Sequence, residues 1–331
     1  MKIIIDSDIP FIRGVLEPYA EVSYHKGSDI RAEILGQAEV LVVRTRTCVD
    51  EALLRGSNVK FVATATIGTD HIDLQYCKRS GVEVFNAKGC NARGVLQWVA
   101  AVLKHILTSD GRRPSDYRLG VVGVGSVGSL VVEYARHWGF DVVMCDPPRR
   151  EREGGDFRSI EELAATCDIL TFHTPYDKST HHLVDSNLLS IMPPHAVILN
   201  ASRGGVVDNA AVANSSHRYY FDVWEGEPQI EPSVLAGSSL ATPHVAGYSL
   251  QGKANATSLV VNAIAERFDL PLKGWYPSEV HPTDVHLIGW DEMCETIDIY
   301  YPISEESQHL KSSPKEFEQM RNTYLYREEY F

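Results

Sequence analysis

Three short segments in the second half of the chain hold the side chains best suited to chemistry. NASRGGVVD (200–208) contains Arg203, DVWEGEP (222–228) contains Glu227, and TPHVAGY (242–248) contains His244. Arginine can clamp a carboxylate through two charge-assisted hydrogen bonds, in a planar geometry that lysine lacks. Histidine titrates nearest neutral pH and is the natural base for a hydroxyl proton, while a glutamate beside it favours the imidazolium and fixes the ring. A carboxylate clamp, a base and an acidic partner are what oxidation of a 2-hydroxy acid requires. Taken singly, each has a plain alternative. A histidine after a proline is an ordinary capped turn residue, and an isolated Arg or Glu is a solvated charge. The combination gains force only if the fold also supplies a hydride acceptor.

The segment RLGVVGVGSVGSLVVEYARHWGFDVVMCD (118–146) supplies that context. Its apolar run Leu119–Val122 reads as a buried parallel strand, and Gly123, Gly125 and Gly128 follow with GxGxxG spacing at the start of a helical pattern. In a dinucleotide fold the first glycine makes the tight turn. The second admits the pyrophosphate, and the third lets helix and strand pack closely. Ser126 and Val127 open the helix, whose N-terminal amides face the phosphates. Asp146 ends the next strand, where a carboxylate accepts ribose hydroxyls and repels a 2′-phosphate. NAD is therefore favoured over NADP, although Arg149 and Arg150 stand close behind.

The elements around these residues form two α/β units. Ile3–Ile5, Val40–Val43, Phe61–Ala65 and Val82–Phe85 are strand-like and alternate with helical stretches, which makes the first unit doubly wound. A helical pattern over Asn91–Leu107 joins it to the dinucleotide unit. That unit continues through strands at Ile169–Phe172, Ala196–Leu199, Tyr219–Asp222 and Leu240–Ala241. A second helical pattern, Ser249–Phe268, returns the chain to the first unit. Ligands of open α/β sheets gather beyond the carboxyl ends of the strands. That rule selects Arg44, Thr45 and Arg46 after one strand of the first unit and Thr66, Ile67 and Gly68 after the next; solvated loop arginines are the alternative reading.

A length of 331 residues calls for two or three domains. The formal charge of −13, with no basic run to offset it, argues against a nucleic-acid partner. Residues 266–331 hold 14 acidic and 6 basic side chains, yet also Trp275, Trp290, Tyr300, Tyr301, Tyr324 and Tyr326, too many aromatics for a disordered tail. No apolar run reaches membrane-spanning length and no signal segment opens the chain, so a cytoplasmic location is expected. The cysteines at 48, 77, 90, 145, 167 and 294 show no metal-ligand spacing, and the expectation is reduced packing residues with no metal.

The segments NASRGGVVD, DVWEGEP and TPHVAGY, ordered behind GVGSVG (123–128) and CDPP (145–148), resemble the D-2-hydroxyacid dehydrogenase family over residues 1–268. VVRTRT (42–47), TATIGTDHID (64–73), GCNA (89–92), LTFHTP (170–175) and PHVAGYSLQGKA (243–254) add to the match. The resemblance implies Arg203, Glu227 and His244 as active-site residues, with His244 exchanging the proton. It implies NAD contacts from Asp146, Thr174, Pro175, Ala201, Ser202, Arg203, Asp222 and Gly247, and substrate contacts from Thr45, Thr66 and Tyr248. The tail sequence SPKEFEQMRNTYLYREEY resembles a dimerisation segment.

The expected chain is thus an α/β protein in three parts: a Rossmann NAD-binding domain (91–247), a flavodoxin-like substrate domain (1–90 and 248–268), and a small C-terminal α+β dimerisation domain (269–331). A homodimer oxidising a small phosphorylated 2-hydroxy acid with NAD is the implied activity. A dehydrogenase of the 3-phosphoglycerate or glyoxylate type stands as an alternative, and a non-catalytic NAD-sensing module as another.

Overall fold

The computed structural model describes residues 1–331. It divides into two compact units, Met1–Asn91 with Leu250–Pro282, and Ala92–Ser249 with Thr283–Phe331.

The first unit is built on Lys2–Asp6 (β1), Glu21–His25 (β2), Val40–Val43 (β3), Phe61–Thr64 (β4) and Glu83–Asn86 (β5). All pair in parallel in the order β2-β1-β3-β4-β5, the flavodoxin-like arrangement. The central strands are continuous apolar runs because helices cover both faces. Ile4, Leu41 and Val62 point into one core, while Ile3, Ile5, Val40, Val42 and Phe61 point into another shared with Val260, Val261 and Ile264 of the helix Leu250–Phe268.

The second unit holds Arg118–Val122 (β6), Asp141–Cys145 (β7), Ile169–Phe172 (β8), Val197–Asn200 (β9), Arg218–Phe221 (β10) and Leu240–Ala241 (β11). Their order is β11-β10-β9-β8-β6-β7, again parallel. Phe157 adds a single parallel bridge to Met144 on the far side of β7. Counted with that bridge, the strands run 3-2-1-4-5-6 plus one, the Rossmann order. The order reverses between β6 and β8, where such folds bind dinucleotides.

The helix Ala92–Asp110 is buried around most of its circumference, including Trp98, Val99, Leu103 and Ile106, and so behaves as a core helix of this unit. Full burial of side chains of this size contributes roughly 1.5–3 kcal/mol each.

The tail differs from the expectation of a separate α+β domain. Residues 269–282 belong with the first unit and 283–331 with the second. Its named elements are helical: Trp290–Tyr300, Ile303–Ser312 and Phe317–Asn322, with a short 3₁₀ turn at Pro314–Glu316. The physical reason lies in the core. Ile288, Met293, Ile297, Tyr301, Ile303 and Phe331 fill the same cluster as Trp98, Leu119 and Val121, and Leu310 and Phe317 join the cluster on the other face of the sheet.

Cysteine usage also departs in one place: Cys48 is exposed and so packs against no core, whereas Cys77, Cys90, Cys145 and Cys167 are buried. No helix is long and apolar enough to cross a membrane.

Candidate active site

The glycine turn after β6 is shaped as its spacing demands. Gly123 has φ +83°, and a Cβ there would lie 2.8 Å from the carbonyl of His173, so neither the turn nor the neighbouring strand end tolerates a side chain. A Cβ on Gly128 would meet the Gly123 oxygen at 2.0 Å, which is how closely the helix Ser126–Trp138 presses on the turn. At Gly125, just ahead of that helix, an added Cβ meets nothing within 4 Å. This face is open to a ligand.

Beside the turn, Thr174 Oγ1 is buried and has no hydrogen-bond partner, an arrangement that a bound polar group would relieve. His173 is held neutral, its pKa pushed down to about 3 by burial. Pro175, Ala201, Ser202 and Gly247 follow the ends of β8, β9 and β11, along the same carboxyl edge of the sheet.

Asp146 directly follows β7 and caps the helix Pro147–Glu153. Its Oδ1 accepts from the Arg149 amide at 2.9 Å and its Oδ2 from the Val124 amide at 2.8 Å, which fixes the carboxylate over the glycine turn. Arg149 is spent elsewhere: it pairs with Glu153 at 2.7 Å and donates to the Val124 carbonyl at 2.8 Å. A guanidinium so neutralised is a poor receptor for a 2′-phosphate. The residues present therefore fit NAD.

Three loops carry the reactive side chains, and each touches the next. Arg203 follows β9, with its carbonyl accepting from Asn200 Nδ2 at 2.9 Å and its guanidinium donating to the Ser202 carbonyl at 2.8 Å. The next residue, Gly204, lies against the backbone of Trp224: a Cβ there would sit 2.1 Å from the Trp224 carbonyl. Only a glycine lets these loops meet. Trp224 donates its backbone amide to Glu227 Oε1 at 2.8 Å and its indole N–H to the Thr242 carbonyl at 3.0 Å. Glu227 Oε2 lies 2.7 Å from His244 Nδ1.

Burial raises the pKa of Glu227, but attraction to His244, the hydrogen bonds from His244 and Trp224, and the charge of Arg321 outweigh it. The net result is a carboxyl held below its ordinary range. The pair is an ionised carboxylate orienting an imidazole, with Nε2 the ring nitrogen left for a substrate proton.

Asp222, expected to touch the cofactor, commits its carboxylate to the protein. Oδ1 accepts from Thr242 Oγ1 at 2.6 Å and the Val245 amide at 2.8 Å, and Oδ2 from the Ala246 amide at 3.0 Å. Its carbonyl takes the His244 amide at 2.7 Å. Asp222 thus builds the loop on which His244 stands.

In the first unit, Arg44, Thr45 and Arg46 follow β3, and Thr66 follows the adjacent β4 by two residues, so both turns share one sheet edge. Arg44 donates to the Asp8 carbonyl at 3.0 Å. Thr66 Oγ1 lies 2.7 Å from Thr64 Oγ1, which in turn lies 3.2 Å from His71 Nε2. Tyr248, in the second unit, is set edge-on between Tyr324 and Tyr326, at centroid distances of 5.8 and 6.2 Å.

Residues 92–246 match the D-isomer specific 2-hydroxyacid dehydrogenase, NAD binding domain. An erythronate-4-phosphate dehydrogenase of Bacteroides thetaiotaomicron is 40% identical over 340 residues, covering 99% of this chain and 97% of its own. This chain belongs to the D-isomer specific 2-hydroxyacid dehydrogenase family. A second erythronate-4-phosphate dehydrogenase, from Shigella boydii, is 36% identical over 100% of this chain and 92% of its own. Among solved structures, D-lactate dehydrogenase from Aquifex aeolicus, complexed with NAD and lactic acid, aligns with a TM-score of 0.66 at 25% identity over 86% of this chain and 100% of that one. As a D-2-hydroxyacid dehydrogenase, the chain is an NAD-dependent oxidoreductase acting on a CH–OH group.

Within this dehydrogenase, sequence reasoning missed one brace of the site. Glu225 accepts from the Asn209 amide at 3.0 Å and lies 2.6 Å from His182 Nε2, fastening the loop that carries Glu227. Its signal was present in DVWEGEP, where Glu225 stands two residues before Glu227, but nothing local distinguishes a bracing carboxylate from a catalytic one.

Proposed function

We propose that this dehydrogenase oxidises 4-phospho-D-erythronate at C2 with NAD, giving 2-oxo-3-hydroxy-4-phosphobutanoate, as a step toward pyridoxal 5′-phosphate. The observation that carries the reading is the 2.7 Å pairing of His244 Nδ1 with Glu227 Oε2, on a loop joined through Trp224 to the loop of Arg203. Full-length similarity to enzymes named for erythronate 4-phosphate supports the substrate.

When bound, NAD supplies the acceptor for the hydride leaving C2. The chain's own residues do the rest. Arg203 holds the substrate carboxylate through its planar fork. His244 Nε2 takes the C2 hydroxyl proton as the carbonyl forms, and Glu227 stabilises the imidazolium that results. Asp146 and Gly123, Gly125 and Gly128, with Ser126, Val127 and Thr174, hold the dinucleotide.

Thr45, Thr66 and Tyr248 complete the substrate contacts, and Arg44 and Arg46 receive the phosphate. A chain of net charge −13 repels a phosphate dianion at long range, so a local positive cluster is needed to bind it. The enzyme works in the cytoplasm without nucleic-acid or membrane partners, as a homodimer associating through its tail. The exposed apolar side chains Val285, Ile299 and Leu325 support such a surface.

Assaying purified protein with NAD against phosphorylated and plain 2-hydroxy acids tests the reading. Preference for 3-phosphoglycerate, lactate or glyoxylate would overturn the substrate assignment. Binding of NAD without turnover of any acid would overturn the activity.

A further inference from the structure

His244 stands in a strained place. Its φ is +58°, in the left-handed region that non-glycine residues occupy only when their surroundings enforce it. Asp222 holds the amide side of its loop through the N–H groups of Val245 and Ala246. The carbonyl side is held from the far end of the chain.

Arg327, only 7% exposed, is the anchor. Its guanidinium donates to the carbonyls of Val245 at 3.1 Å and Tyr248 at 3.3 Å, to that of Ala246, and to Gly94 at 2.9 Å. It also donates to the Tyr324 hydroxyl at 3.0 Å and sits 3.9 Å from the centroid of the Tyr301 ring. Two residues on, Glu329 is 4% exposed. Its Oε1 accepts from the Gly94 amide at 3.0 Å and Ser249 Oγ at 2.6 Å, and its Oε2 from Thr283 Oγ1 at 2.8 Å. A parallel bridge between Ser249 and Arg327 ties the two backbones.

A buried guanidinium is costly unless its donors are satisfied. Here the carbonyls of Val245, Ala246, Tyr248 and Gly94 take its two Nη groups, while Nε has no partner. The planar fork reaches several acceptors in fixed directions at once, which an ammonium cannot do. Besides Gly94, Thr283 and the two tyrosines, the contacts fall on the segment Val245–Ser249, immediately behind His244 and including Tyr248.

We propose that Arg327, supported by Glu329, is a positioning residue of the catalytic centre, and that the C-terminal segment sets the orientation of His244 from within the same chain. The proposal rests on the reading of His244 as the proton acceptor. Small displacements of a reacting group are expensive: about 1 Å can cost on the order of 100-fold in rate.

The test uses the full-length protein carrying Arg327→Lys and, separately, Arg327→Gln. NADH affinity, kcat and KM are measured, together with the low-field proton NMR signal of the His244–Glu227 hydrogen bond and the folded fraction by circular dichroism. Both variants should still bind NADH within a few-fold of the wild type, because the glycine turn and Asp146 lie on other strand ends and only Gly247 falls in the segment that Arg327 holds. Their kcat should fall on the order of 100-fold, and the low-field signal should broaden or vanish. A lysine variant with wild-type kcat and an unaltered signal would overturn the proposal. So would turnover lost only in proportion to the unfolded fraction, with the signal intact in the folded molecules. If the wild type oxidises no 2-hydroxy acid, the functional reading fails, and the NMR signal alone still decides whether Arg327 positions His244.

Discussion

His244 Nδ1 lies 2.7 Å from Glu227 Oε2, while the other oxygen of Glu227 accepts the Trp224 amide at 2.8 Å. The glutamate therefore cannot swing away from the imidazole without breaking a second hydrogen bond. Replacing His244 with Ala should lower kcat by roughly 10² to 10⁴, the usual worth of a general base, while NADH titrations stay near wild type. Turnover within a few-fold of wild type would remove His244 from the mechanism.

The depressed pKa of Glu227 has a direction that stability measurements can read. A carboxyl lowered in the folded state contributes stability that is fully present above its ordinary value of 4.5 and disappears only as pH falls through the lower, folded value. The difference in urea midpoint between wild type and Glu227→Gln should persist through the ordinary carboxylate range and shrink below it. A difference already gone at the ordinary value would mean that the pair is not ionised in the folded protein.

Gly204 is where the Arg203 loop meets Trp224, and a methyl carbon at this position would lie 2.1 Å from the Trp224 carbonyl. Gly204→Ala should destabilise the protein by about 1–3 kcal/mol, the range for overpacking, and reduce turnover beyond the loss of folded protein. Denaturant titration and kcat on the folded fraction separate the two effects. An alanine variant with wild-type stability and rate would show that the two loops part freely.

Asp146 is fixed over the glycine turn and Arg149 is neutralised by Glu153. Asp146→Ala should weaken NAD and narrow its advantage over NADP, as both the ribose acceptor and the repulsive charge are lost. Paired binding titrations check this. An unchanged ratio would assign ribose recognition to another group.

Much of the site was legible because chemistry in a parallel sheet sits at strand ends. β3, β8 and β11 lie where their apolar runs place them and β9 and β10 within one residue of it, and the loops of Arg203, Glu227 and His244 follow β9, β10 and β11. β2 was missed: EVSYH is a half-exposed edge strand with no apolar run to announce it. The tail was misjudged for a different reason. Its apolar residues mark it as folded, but which core Met293, Ile297 and Phe331 join is a long-range fact that no local pattern encodes. Asp222 illustrates the same gap, since no local pattern shows that its buried carboxylate accepts three donors of its own chain, the Thr242 hydroxyl and the Val245 and Ala246 amides.

Arg44 and Arg46 carry the phosphate assignment. Replacing both with Ala should raise KM for the phosphorylated acid far more than for its unphosphorylated analogue, since hydrogen bonds to charged groups contribute roughly 1.5–3 kcal/mol each. Equal losses for the two substrates would place the phosphate elsewhere.

The most direct measurement of the central claim follows the hydrogen on C2. Purified enzyme is mixed with NAD and 4-phospho-D-erythronate deuterated at C2, and both products are analysed by mass spectrometry. The account predicts reduced nicotinamide carrying the deuterium, together with the 2-oxo acid, and no transfer in the His244→Ala protein on the same timescale. Reduced cofactor without the label, or no reaction while lactate or 3-phosphoglycerate is oxidised, would contradict it.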